Sequence, residues 1–179
     1  MSNQPFLTDI ETIRKRAREE MDKGALTASY GMDVEQVISV LNEALATELV
    51  CVLRYKRHYY TATGIHAPIA AEEFLEHAQE EQEHADRIAE RIDQLGGAPD
   101  FSPEGLATRS HSDYVEGETL VEMIKEDLVA ERIAIDSYRE IVEWLGNGDP
   151  TTRRMMEDIL ASEEEHADDL MGLLERIGV

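Results

Sequence analysis

Four stretches of about 28 residues, each with an apolar seam at helical spacing, constrain this chain more than any other feature of its sequence. The first runs from Asp33 to about Thr61 on Val34, Val37, Ile38, Leu41, Leu45, Leu49 and Val52, with Asp33 and Gln36 as a capping pair. The second opens at Pro68, a good first-turn residue, and continues to Leu95 before Gly96-Gly97. The third spans about Gly117 to Leu145, and the fourth follows Asp149-Pro150 to about Arg176. Each helix is then roughly 40 Å long at 1.5 Å per residue. Short links join the first to the second and the third to the fourth, which predicts two antiparallel hairpins. About 20 residues rich in Gly, Pro and Ser lie between Gly96 and Glu116, enough at roughly 3.3 Å per residue to travel the whole length of a bundle. The expectation is an all-α four-helix bundle with one long crossover between helices two and three.

Ahead of it, Thr8 to about Lys23 reads as a short extra helix, with Thr8 and Glu11 as a capping box. The expected division is residues 1–32 as an N-terminal arm and 33–179 as the bundle. The arm carries Arg14, Lys15, Arg16 and Arg18, but Glu11, Glu19 and Glu20 flank them. The chain has 39 acidic and 17 basic residues, a net charge of −22. That balance speaks against DNA as a partner and for a surface that attracts cations, or simply a soluble acidic one. A docked or subunit-bridging role suits the arm better. One cysteine, Cys51, excludes an internal disulfide and a four-cysteine metal site. No stretch nears 18 continuous apolar residues, and Met1 to Thr12 contains no apolar leader, so a cytoplasmic, non-membrane protein is expected.

The seams are interrupted near their midpoints by metal-type ligands. Helix one reads Leu41, Leu45, Glu48, Val52, Tyr55, and helix two reads Phe74, His77, Glu81, His84, Ile88, Ile92. Helix three reads Leu120, Ile124, Leu128, Glu131, Ile135, Tyr138, and helix four reads Met156, Ile159, Glu163, His166, Leu170, Leu173. Glutamate and histidine three residues apart share one helix face and can grip one cation. A single Glu-x-x-His pair says little, because 26 glutamates and six histidines produce about one by chance. The common height of all four interruptions is the stronger argument. Buried ionised carboxylates cost several kcal/mol each unless neutralised. With no lysine or arginine on those seams at that height, two divalent cations are the economical partner. Mixed carboxylate and imidazole ligation suits iron or manganese better than structural zinc.

Around the six, Glu80, Glu83, Glu164 and Glu165 fall off the seam and should face solvent or flank the site. His77, on the seam a full turn before Glu81, reads as a hydrogen-bonded core histidine, with a supporting place behind the ligands as the alternative. His58, His66 and His111 carry little signal. Tyr55 stands seven residues after Glu48 and so near the site, and Asp127, one turn before Glu131, is a reasonable acceptor for a ligating histidine N–H.

On Glu48 with Tyr55, Glu81-x-x-His84, Glu131 and Glu163-x-x-His166, the chain from about Asp33 to Gly178 resembles the ferritin-like superfamily. Within it the pattern is similar to that of the bacterioferritins and of Dps-like cages with a bacterioferritin-type site. The resemblance implies one iron on Glu48, Glu81 and His84 and a second on Glu131, Glu163 and His166, with Glu81 and Glu163 bridging. It implies a ferroxidase that oxidises Fe(II) with dioxygen or hydrogen peroxide and stores the mineral in a homo-oligomeric shell. Manganese or zinc are alternative occupants in a crystal. Di-iron or manganese oxidases and peroxidases without storage, and DNA-protecting proteins, are the alternative readings. Three positions depart from the pattern. Gln82 stands where bacterioferritins carry a haem-ligating methionine, so haem is not expected. The sequence ends at Val179 without the fifth helix of 24-subunit shells, which favours twelve subunits. Cys51 lacks the partner thiol of some Dps-like relatives.

Overall fold

The structure, a computed structural model, describes residues 8–178. The first seven positions and position 179 lie outside the described residues, and with them most of the stretch that is expected to lack an apolar leader. Six helices and no strand occur among the described residues: α1 (Ile10–Glu19), α2 (Val34–Thr61), α3 (Ala67–Gln94), α4 (Leu106–Arg109), α5 (Leu120–Leu145) and α6 (Pro150–Ile177). The four long ones form the expected bundle.

The ends of these helices follow local chemistry. Asp33 caps α2 by accepting from the backbone N–H groups of Glu35 and Gln36. Thr119 and Glu122 close a full capping box on α5, and Asp149 with Pro150 opens α6. Gly117, at φ +63°, makes the bend before that box, where a Cβ would lie 2.7 Å from the Met123 nitrogen. The extra helix differs from expectation. Asp9 caps it by accepting from the Thr12 N–H at 3.1 Å, so it starts one residue later than a Thr8 box requires, and it stops at Glu19. None of its side chains is buried, and Arg14 and Lys15 pair with Glu11 and Glu19 on the same helix.

α2 packs on α3 and α5 on α6, and the two hairpins meet through α2–α5 and α3–α6. The crossover, residues 95–119, is pinned to α2 rung by rung. Asn42 bonds the Ala98 carbonyl and the Asp100 N–H. Thr47 Oγ1 accepts from the His111 N–H at 2.9 Å, Arg54 Nη1 reaches the Asp113 carbonyl at 3.1 Å, and His58 Nε2 donates to the Glu116 carbonyl at 2.7 Å. These contacts progress along α2 toward its C-terminal end, so the link does traverse the bundle. It also contains α4, a single turn too short to announce itself by periodicity.

Covering α2 with this link buries residues that a narrow seam leaves outside. Arg54, Asp127 and His58 are all 1 % exposed or less. Arg54 Nε donates to Asp127 Oδ1, and His58 Nδ1 lies against Asp127 Oδ2, both at 2.8 Å. Arg54 is a buried arginine off the seams, and His58, expected to carry little signal, is buried with it. α2 is also long and apolar enough to span a membrane by composition, with a mean hydropathy of 1.5 over its best window. Its buried face nevertheless carries Glu48, Arg54 and His58 and packs on α3.

Two apolar clusters fill the bundle. One centres on Leu41, Leu45, Ile88, Ile92, Leu145 and Ile159, the other on Phe74, Ala78, Ile124, Leu170 and Leu173. Between them lies a polar layer.

Candidate metal centre

That layer is built from the midpoints of the four long helices, as the seam positions predict. Glu48, Glu81, His84, Glu131, Glu163 and His166 are each at most 4 % exposed. Their ligand-type atoms fall into two overlapping groups, Glu48–Glu81–His84–Glu163 and Glu81–Glu131–Glu163–His166, within each of which they lie no more than 4.8 Å apart. Glu81 and Glu163 belong to both.

The two hairpins contribute equivalent sets. Tyr55 on α2 donates its hydroxyl proton to Glu131 Oε1 on α5, and Tyr138 on α5 donates to Glu48 Oε1 on α2. Only antiparallel neighbours can pair 55 with 131 and 48 with 138 at once. Tyr55 therefore stands where expected. Tyr138 is, by sequence, only one more seam residue, although its interval of seven after Glu131 repeats that of Tyr55 after Glu48.

The inner atoms converge without donors. Glu48 Oε2, Glu81 Oε1, Glu131 Oε2, both oxygens of Glu163 and Nδ1 of His166 are buried with no hydrogen-bond partner. His84 Nδ1 lies 3.0 Å from Glu163 Oε1, 3.3 Å from Glu81 Oε2 and 3.5 Å from Glu48 Oε2. His166 Nδ1 lies 3.4 Å from Glu163 and 3.5 Å from Glu81. A fully buried leucine or isoleucine contributes about 1.5–3 kcal/mol, while an uncompensated buried carboxylate costs several. Four of them would offset much of the core around them.

Protons compensate in the metal-free protein. Burial, and then the charge of Glu81, push the Glu48 carboxyl up to about 8. Burial and the neighbouring Glu81 and Glu163 hold Glu131 well above the usual carboxylate range. Burial opposes charge on His84 and His166, yet the surrounding carboxylates, Glu163 foremost, outweigh it. His84 is raised, and His166 is raised to about 12. Protonated imidazoles among carboxylates supply the positive charge that cations would otherwise bring. Orphaned oxygens, inward ring nitrogens and shared central glutamates all fit a pair of divalent ions.

The surrounding groups divide unequally. His166 Nε2 donates to Glu80 Oε2 at 2.7 Å, which fixes the ring and turns Nδ1 inward. Glu80 thus performs the part expected of Asp127, which instead serves Arg54 and His58. Glu83, Glu164 and Glu165 face solvent. His77 is a buried, hydrogen-bonded histidine: its ring stacks on His166 at 4.1 Å and its Nδ1 lies 3.2 Å from the Tyr55 hydroxyl. Cys51 is a buried thiol beside Ser112 and Arg54.

A bundle of two hairpins with a carboxylate and histidine layer at mid-height defines a class, and comparison with known proteins agrees. The family described as Ferritin-like domain matches residues 38–178, and the chain belongs to that family. A bacterioferritin of Desulfovibrio desulfuricans is 30 % identical over 132 residues, covering 73 % of this chain and 70 % of that protein. A nutrient stress-induced DNA-binding protein of a Synechococcus species is 30 % identical over 135 residues, covering 74 % and 77 %. Among solved structures, a dodecameric thioferritin, the bacterioferritin-related protein of Bacteroides fragilis, superposes with a TM-score of 0.79 at 30 % identity, covering 94 % of this chain and 95 % of that one.

Proposed function

We propose that this protein is a ferroxidase that takes up two Fe(II) ions per chain, lets dioxygen or hydrogen peroxide oxidise them to Fe(III), and stores the product in a homo-oligomeric shell. The cluster of buried, donorless oxygens on Glu48, Glu81, Glu131 and Glu163 carries this reading. Glu48, Glu81 and His84 hold one ion and Glu131, Glu163 and His166 the other, with Glu81 and Glu163 shared. Paired irons supply two electrons to one oxidant molecule. The protein's part is to lose protons from Glu48, Glu131 and the two imidazoles on loading, and to surround each ion with anionic oxygen, which favours the higher charge of Fe(III). Tyr55 and Tyr138 hold the outer oxygens of Glu131 and Glu48, so the inner ones stay aimed at the cations. Tyr55, at 0 % exposure, also keeps a phenol beside the site where it can donate an electron.

Residues 1–32 as an arm on a 33–179 bundle, a cytoplasmic location, no resident haem and a shell of twelve belong to the same reading. The dodecameric Bacteroides relative supports the last of these. Oxygen consumption on adding Fe(II) tests it. Wild type is expected to consume oxygen rapidly and Glu81→Ala to lose the rapid phase. An unchanged rate in that variant would overturn the assignment. A peroxidase or oxidase without storage is the alternative, and iron loading limited to about two ions per chain would favour it.

A further inference from the structure

A second group of ligand-type side chains lies one helical turn away from the buried pair. Glu73, His77 and Asp169 bring ligand atoms within 4.8 Å of one another. His77 is 2 % exposed, whereas Glu73 and Asp169 are partly open to solvent. The hydrogen-bond chain fixes the His77 tautomer. The Tyr55 hydroxyl proton goes to Glu131, so the Tyr55 oxygen accepts from N–H at His77 Nδ1. Nε2 is left with its lone pair, and it faces Glu73 Oε1 at 3.8 Å and Asp169 Oδ2 at 3.9 Å. Those separations are too long for hydrogen bonds. Donor atoms bound to one ion at about 2.0–2.2 Å sit roughly 3–3.5 Å apart, and small rotations of the two partly exposed carboxylates close the difference. Neither carboxylate has a lysine or arginine ion-pair partner among the described residues.

We propose that Glu73, His77 and Asp169 form a third, mononuclear site for a divalent transition-metal ion, completed by water. One imidazole and two carboxylates suit Fe(II), Mn(II) or Zn(II) better than Ca(II) or Mg(II). The site has no counterpart in the other half of the bundle. Four residues before Glu81 stands His77, but four before Glu163 stands Ile159. An ion there is tied to the buried pair through the His77 ring, which stacks on His166 and donates to Tyr55. Its occupancy does not depend on oxidation at that pair.

Zinc is the probe, used with the full-length assembled protein. Crystals soaked in Zn(II) should show an anomalous peak about 2.0–2.1 Å from His77 Nε2. The double variant Glu73→Gln/Asp169→Asn, altered only at partly exposed positions, should lose that peak and keep those among the six buried ligands. In solution it should bind one zinc fewer per chain. Absence of the peak in wild type, or unchanged zinc stoichiometry in the double variant, overturns the proposal. Zinc at His77 with no zinc in the six-residue layer would instead keep this site and reject the buried pair.

Discussion

At the scale of single residues, the carboxylate and histidine layer makes a prediction about pH whose sign is fixed. Glu48, Glu131, His84 and His166 all hold protons more tightly when folded than when unfolded. A raised folded value contributes stability that is lost as pH climbs through it. Burial, with the charge of His166, lowers His77 to about 3, and that loses stability as pH falls below 6.5. Above 6.5 the other four act together. Glu48 is losing its proton toward about 8, and the histidines are protonated only in the folded chain. Metal-free protein should therefore melt at a lower temperature at pH 8 than at pH 6.5, and the upward shift on adding Mn(II) should be larger at pH 8. Thermal scans at both values decide it, and the reverse order would contradict the layer's electrostatics. Sequence alone brought these four together with Glu81 and Glu163, because acids and imidazoles that break four apolar periods at a common height must meet inside the bundle, where only shared cations or protons can neutralise them. It did not separate Glu80 from Glu83, since both lie off the seam and only the rotation of α3 against α6 brings Glu80 behind His166.

Among the helices and their links, the crossover is the piece whose role was least legible. Its length gave its path, but its burial of Arg54 and His58 depends on which face of α2 it covers, and no local pattern encodes that. The resulting Arg54–Asp127–His58 cluster ties α2, α5 and the crossover together. Asp127→Ala would leave a guanidinium at 1 % exposure without its carboxylate. The expected loss is about 3–5 kcal/mol of unfolding free energy. Thr119→Ala removes only the capping box of α5 and should cost about 1 kcal/mol. Denaturant titration of the two variants should place them in that order. Equal losses would mean that the cluster is no more than a solvated ion pair.

For the molecule as a whole, several large apolar side chains remain at the surface, including Ile65 at 90 %, Tyr60 at 80 % and Leu53 at 52 % exposure. Such residues suit burial between subunits. Light scattering is expected to give about twelve times the chain mass of 20.2 kDa, and iron loading should exceed two ions per chain by a wide margin. A monomer or dimer would remove the storage shell from the reading. Arg14 and Lys15 are already paired on α1 and the net charge is −22, so no gel shift of duplex DNA is expected at physiological salt. The pair of crossed phenols has one more implication. Each hairpin lends a hydroxyl to an acid on the other, so neither hairpin holds its own acids in place alone. A peptide of either hairpin by itself would carry its share of acids with no phenol opposite to steady them, and cutting the link at residue 105 should give fragments that take up metal only when mixed.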